Sequence, residues 1–317
     1  MLKDLQTTVA LIEEGKNLLC AGDTDLLKQL PKGNWIGGST PYFMGQEGGK
    51  KSFDKIFVTE LPNLVTLDSI KLYDTNSLNN IPSDSKENGI SFLLIPAFSD
   101  IHKEYAEKAP EMEGLFEKNI VGWISGFDLE TQSVASVFNG ITGEEYKDKA
   151  VVMHTSLDSD KTAEIKIKNI FEQGDGDTIT FSKSGFTCKT CFVNGKEMDF
   201  AQYIKDNNIS TKLPLVADFF GATVNASFMS IEDEVKLYAP VFDAIDYKIA
   251  KPINNYMEEF SKIVSQDENI VFCCNCILNY LYGKLENKKT GSFTGPITFG
   301  EIAYQLLNQT LVYVTIK

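Results

Sequence analysis

Ile90-Ser-Phe-Leu-Leu-Ile-Pro-Ala-Phe98, followed by Ser99, is the stretch that decides the fold. A nearly continuous apolar run of this length suits a strand buried on both faces, as in parallel sheets. Ser99 then stands as the N-cap of a helix through Ala106, because a serine hydroxyl accepts from the first free amides of a helix. A buried strand leading straight into a helix is α/β alternation, so the expected class is α/β, with mixed β-sheets flanked by helices.

Upstream, Leu5, Val9, Ile12, Lys16 and Leu19 recur at helical spacing over 4–20, stopping at Gly22, and a shorter helix follows Asp23 and closes at Pro31. Trp35-Ile36 reads as a strand entering a tight turn, Gly37-Gly38-Ser39-Thr40-Pro41. Downstream, 122–126, 134–138, the Asn139-Gly140 turn and 150–157 form a hairpin-like series. The polar stretch 158–177 sets a boundary between domains 1–158 and 178–317, with 159–177 connecting them. The second part predicts strands at 179–181, 191–193, 213–217, 235–241, 270–274 and 311–316, and helices over 198–205 and around Leu278 to Tyr282. A helix over 252–264 starts at Pro252 and presents Ile253, Tyr256, Met257, Phe260 and Val264 on one face. The two parts are similar in size. Gly143-Glu144 leading to Ala150-Val-Val-Met153 echoes Gly300-Glu301 leading to Leu311-Val-Tyr-Val314, the trace that an internal duplication would leave.

The 317 residues hold 30 basic against 44 acidic side chains, a net charge of −14, with 43% hydrophobic and 23% charged residues. Such a balance excludes a disordered or collagen-like chain. The net charge repels a phosphate backbone and no basic patch offsets it, so nucleic acid is not an expected partner. Every basic residue is lysine. Without arginine there is no guanidinium fork, and an anion site has to use lysine, hydroxyls or backbone amides. No apolar run reaches the roughly 18 residues of a membrane span. Asp4, Glu13 and Glu14 together with the lack of a small-residue cleavage site are unlike a signal peptide, so a cytoplasmic location without a membrane partner is expected. Six cysteines in so long a chain fit reduced thiols, and the sequons at Asn208, Asn225 and Asn308 then carry no weight.

The C-terminal run Gly291-Ser-Phe-Thr-Gly-Pro-Ile-Thr-Phe-Gly-Glu-Ile-Ala-Tyr-Gln-Leu-Leu-Asn-Gln-Thr-Leu-Val-Tyr-Val314 resembles the ending of FIST domains, where an aromatic-Gly-Glu-Ile step precedes Asn-Gln-Thr-Leu. Trp35-Ile-Gly-Gly-Ser-Thr40 is similar to the glycine-rich turn of that family's N-terminal half, and 122–126, 137–140 and 150–153 resemble its closing strands. The likeness spans 1–157 and 210–317. It implies a FIST N-like domain over 1–158 and a FIST C-like domain over 178–317, packed together with a small-ligand pocket at their junction. It further implies an intracellular sensory protein that signals to a separate partner, such as a histidine kinase, since two such halves leave no room for an output domain. Some stand-alone members are haem-containing nitric-oxide sensors, which supplies the alternative reading of a haem- or metal-binding gas or redox sensor. The family commonly has a cysteine-to-arginine element after the penultimate core strand. Phe272-Cys-Cys-Asn-Cys-Ile277 keeps the cysteine and lacks the arginine, so a ligand carboxylate held by that arginine is not implied.

Gly37, Gly38, Ser39 and Thr40 can present amides and two hydroxyls to an anionic or carbonyl ligand. Phe299, Gly300 and Glu301 form the matching step, with Glu301 accepting from a ligand amine and Asn308 and Gln309 orienting it. Their structural alternatives are a tight corner, a satisfied buried acid and a capped turn. Cys188 and Cys191 with Cys274 and Cys276 offer thiolates for zinc or an iron–sulfur cluster, or pack as small apolar side chains. His154, in a strand after Val151-Val-Met153, is the candidate axial haem ligand, ahead of His102. No nucleophile elbow, P-loop or dinucleotide fingerprint is present, and an enzyme is not expected. A hydrolase at Ser39 would need a histidine within reach of its hydroxyl.

Overall fold

In the computed structural model of the chain, residues 1–131, 133–219, 222–263 and 269–317 are described. The α/β class with mixed sheets holds. The deciding run forms strand Gly89–Pro96, buried at every residue, and the Ser99 hydroxyl caps helix Asp100–Lys108 by accepting from the His102 amide. Gly89–Pro96 lies between a parallel neighbour, Ile120–Ser125, and an antiparallel one, Ala150–Leu157, beyond which Val65–Tyr73 is the edge. Glu301–Ala303 joins the same sheet beside Ile120–Ser125.

A further sheet centres on the parallel pair Leu18–Gly22 and Trp35–Ser39, flanked by antiparallel Ile56–Glu60 and Val137–Asn139. Another sets Ile270–Cys276 between antiparallel Thr310–Ile316 and parallel Gly295–Thr298, the latter pairing on with Tyr42–Gly45. Trp123 stacks on Phe272 at 5.9 Å between centroids, and Phe92 packs on the same ring at 5.7 Å. Each such large side chain, taken fully out of water, contributes about 2 kcal/mol.

The chain divides into two compact units. The larger comprises Met1–Lys168, Val264–Leu306 and Thr310–Lys317; the smaller comprises Asn169–Ile263 and Leu307–Gln309. This corrects the division at 158 and the similar-sized halves. The C-terminal strands return to the larger unit, where their backbone groups pair with one another and with Tyr42–Gly45. The smaller unit has its own core around Phe181, Phe200, Phe228 and Tyr247. Its Asn194-Gly195 turn has both residues at positive φ, 49° and 81°, as a type I′ hairpin requires.

Local expectations change in four places. The 4–20 helix is Leu5–Glu13 only, and Leu18–Gly22 is a strand with every residue buried. Gly37, Gly38 and Ser39 belong to a strand instead of a turn, because Gly37 and Gly38 pair on both sides and Ser39 pairs with Gly22. The 122–126 segment is parallel to Gly89–Pro96 and so is not a hairpin arm; the hairpin is Val137–Asn139 with Glu144–Tyr146. The helices expected over 198–205 and 252–264 are Phe200–Asp206, capped by Asp199, and Tyr256–Ile263; Val264 and the Met257 side chain lie outside the described residues.

Candidate functional site

Three parallel pairs end side by side in the larger unit, and their carboxyl ends are tied by backbone. The Gly126 amide donates to Ser39 O at 2.7 Å and the Ala97 amide to Ser125 O at 3.1 Å. The Phe299 amide donates to Ile124 O at 3.0 Å, and the Ile124 amide to Gly300 O at 2.9 Å. Thr40 Oγ1 donates to Ile297 O at 2.8 Å. The carboxyl ends of parallel strands are where α/β sheets bind ligands, since the connecting loops diverge there. These bonds bring Gly37 to Thr40 and Phe299 to Glu301 together.

Their polar groups, however, are already used. Ser39 Oγ donates to Gly126 O at 2.6 Å and accepts from the Ser136 amide at 2.8 Å, so its partners are backbone groups and not a histidine. Thr40 Oγ1 also accepts from the Tyr42 amide, and both residues are buried. Gly38 is small for the sake of packing: a Cβ there would stand 2.6 Å from Trp123 Nε1. Glu301 is fully buried, accepting from Thr298 Oγ1 at 3.1 Å, from Thr310 Oγ1 at 2.8 Å and from the Thr310 amide at 3.2 Å. Burial pushes its pKa up to about 8 despite those bonds. Gly38, Ser39, Thr40 and Glu301 build the floor of the site and do not line an opening.

The surface above that floor is aromatic. Phe98, directly after Gly89–Pro96 and Ala97, is 55% exposed and sits at φ 60°. A bulky side chain in the left-handed region costs on the order of 1–2 kcal/mol. Its amide donates to His102 Nδ1 at 3.2 Å, and burial lowers that histidine's pKa to about 4, which keeps the accepting nitrogen unprotonated. Phe98 packs on Phe127 at 6.0 Å and on Phe299 at 6.3 Å, with Phe127 to Phe299 at 4.9 Å. Beside Phe127, the Asp128 carboxylate takes Lys51 Nζ at 2.7 Å and Tyr42 Oη at 3.1 Å. Burial favours the protonated form of Asp128, but the bonds from Lys51, the Glu130 amide and Tyr42 outweigh it and leave the group below the usual carboxylate range. Phe98 and Phe127 escaped the sequence reading, although Phe98 ends the very run that decided the fold.

Phe98→Ala and Phe98→Gly both delete the ring but differ in tolerance of positive φ. The glycine variant is expected to be the more stable by about 1 kcal/mol in urea denaturation. Equal stabilities would mean that the backbone is not held in the left-handed region.

The remaining expected residues have partners of their own. Asn308 and Gln309 belong to the smaller unit, where the Ser227 hydroxyl sits between their amide oxygens. Gln309 Nε2 donates to Lys212 O, and the Asn225 amide group donates to Asn308 O. His154 is buried with both ring nitrogens engaged, Nε2 to Tyr73 Oη and Nδ1 to Ser91 Oγ, each at 2.8 Å, so reaching an iron would cost it one of these bonds. A groove of about 680 Å³ runs along the edge strand, lined by Lys16, Asn34, Pro62, Asp68 and Ser69 among others, and contains none of the expected site residues.

Cys188 and Cys191 fall in the smaller unit and Cys274 and Cys276 in the larger. Among the described residues no three His, Cys, Asp or Glu side chains form a metal-ligand group. All six cysteines are buried and none forms a disulfide. Burial pushes Cys188 and Cys191 up to about 12 and holds Cys20, Cys273 and Cys274 above the ordinary thiol value. The packing role matches the general preference of free cysteine. Native protein should therefore react with almost no disulfide reagent over minutes and with all six thiols once unfolded; one rapidly labelled native thiol would contradict this.

Among known protein families, the model of a family of unknown function (DUF6976) matches residues 3–317. No curated protein and no solved structure matches the chain.

Proposed function

The chain belongs to DUF6976, a family whose description assigns no activity, and from the geometry of its larger unit we propose that it is a sensory protein that binds a small molecule at the carboxyl ends of strands Gly89–Pro96 and Ile120–Ser125 and signals to a separate protein. The observation that carries the reading is Phe98, a large aromatic residue held exposed in a strained backbone where three parallel pairs end. Strain of this kind persists where the surroundings over-determine it, and it concentrates at ligand clamps. Phe98, Phe127 and Phe299 suit a flat apolar or aromatic moiety. Tyr42, Lys51 and Asp128 stand beside that face for the ligand's polar end. The resemblance of 291–314 to FIST modules supports the signalling half of the reading.

Saturation-transfer NMR with a panel of free amino acids, nucleobases and aromatic acids tests it. At least one flat apolar compound is expected to bind, and Phe98→Ala should weaken it about tenfold, the effect of losing one good aromatic contact. A panel without a binder, or a binder indifferent to Phe98→Ala, would count against the site.

A further inference from the structure

A chain of hydrogen bonds runs from the surface of the larger unit into its core. Lys71 Nζ holds Asp84 Oδ1 at 2.8 Å, and Asp84 Oδ2 accepts from Tyr73 Oη at 2.7 Å. Tyr73 Oη lies 2.8 Å from His154 Nε2, and His154 Nδ1 lies 2.8 Å from Ser91 Oγ. Ser91 Oγ is 2.8 Å from Ser85 Oγ, which in turn lies 2.8 Å from Ile81 O. The outer end is open to solvent, with Lys71 45% and Asp84 29% exposed, whereas His154 and Ser91 are 1% and 2% exposed.

The hydrogens on this chain can be counted. Five bonds connect Asp84, Tyr73, His154, Ser91, Ser85 and Ile81. Tyr73, Ser91 and Ser85 bring one hydrogen each, and a neutral imidazole brings one more. With Asp84 ionised, one bond therefore stays unmade as long as His154 is neutral, and an imidazolium supplies the missing hydrogen. The bond from Tyr73 to the carboxylate is charge-assisted and the strongest of the set, so the phenol hydrogen stays on Asp84. For the Tyr73–His154 contact to be one of the bonds made, Nε2 donates to Tyr73 Oη, which leaves Nδ1 to accept from Ser91. The deficit falls on Ser85, whose single hydrogen serves either Ser91 or Ile81.

We propose that the chain from Asp84 through Tyr73, His154 and Ser91 to Ser85 is a proton-operated switch: a proton taken up at His154 Nδ1 turns the Ser91 hydroxyl onto Ser85 and closes Ser85 onto Ile81. No bond other than these N–H and O–H bonds changes, and the proton comes from solvent. Asp84 and Asp68 favour the charged ring, while Lys71 and Lys86 oppose it; strand Gly89–Pro96 faces the ring with the neutral Ser91. Burial outweighs the two carboxylates and lowers the ring's pKa to about 4, so the switch is open at neutral pH. Asp84 stays ionised because the bonds from Lys71 and Tyr73 overcome its own burial and keep it below the usual carboxylate range.

The chain has two histidines, so long-range ¹⁵N–¹H NMR of the ring nitrogens reads the switch directly in the full-length protein. At pH 7 the hydrogen of His154 is expected on Nε2, with a titration midpoint well below the ordinary histidine value of 6.5. Lys71→Met, at a half-exposed position, should raise that midpoint by about half a pH unit through loss of a nearby like charge. Ser91→Ala should lower it, by removing the acceptor that the protonated Nδ1 requires. A neutral ring protonated on Nδ1, or a midpoint that Lys71→Met leaves in place, would overturn the proposal, and neither reading depends on Ser91→Ala folding.

Discussion

Gly122→Ala is expected to cost about 3–5 kcal/mol, enough to unfold most of a marginally stable protein. Gly122 sits in the middle of Ile120–Ser125, opposite Leu93 on one side and Ile302 on the other. A Cβ there would stand 1.8 Å from the Leu93 carbonyl oxygen, 2.7 Å from its carbon and 2.9 Å from the Leu93 nitrogen. All three are backbone atoms in a paired central strand, so no rotamer change relieves the clash and the strands have to part. Parting them opens the parallel pair whose ends carry Phe98 and Phe127. The control is Gly176→Ala, where nothing lies within 4 Å of the added carbon and urea denaturation should register a change below about 0.5 kcal/mol. A Gly122→Ala protein with wild-type stability would mean that these strands are not in this register.

The second large effect is at Glu301. Glu301→Ala leaves the Thr310 amide and hydroxyl without their acceptor and opens a cavity, for an expected loss of about 3–5 kcal/mol. Glu301→Gln keeps an acceptor oxygen and a similar volume, and near pH 7 it should cost only about 1 kcal/mol, because the carboxyl it replaces is largely protonated there. The pH dependence separates charge from shape. The folded pKa of about 8 lies above the ordinary 4.5, so between these values the native state holds a proton that the unfolded state has released. Stability from this group is complete below about 4.5 and is lost as pH rises through about 8, falling by about 1.4 kcal/mol for each pH unit between the two values. Urea denaturation at pH 5 and pH 8 should reveal a wild-type loss of a few kcal/mol that Glu301→Gln removes. Parallel wild-type and Glu301→Gln profiles would mean that the buried carboxyl stays ionised.

Both effects arise from residues whose meaning is only partly visible in one dimension. The strands at 89–96, 150–157, 270–276 and 310–316 were legible because each is buried on both faces and therefore reads as an apolar run. Glycine misled at Gly37 and Gly38, since it signals a turn locally while here Gly38 admits Trp123 against a strand and Gly37 lies against Trp35. Lys16 and Leu19 continued the period of a helix that had already ended near Gly15, which has φ 74°. The return of the C-terminal strands to the larger unit had no local signal at all, because pairing between residues some 250 positions apart leaves no periodicity. The same limit hid the site: Gly37 to Thr40 and Phe299 to Glu301 could be matched by motif, but their burial, and the exposure of Phe98 above them, are properties of packing. His154 attracted attention as one of two imidazoles, whereas its partners Tyr73 and Ser91 stand 81 and 63 positions away.

Amide hydrogen exchange on the full chain, with and without the compound selected from the panel, tests the central claim most directly. Slowed exchange confined to peptides covering 96–99, 125–128 and 298–300 is the predicted result, since those segments are the joined ends of the parallel pairs. Protection along the groove beside Val65–Tyr73, or only within 169–263, would place the ligand elsewhere and contradict the account.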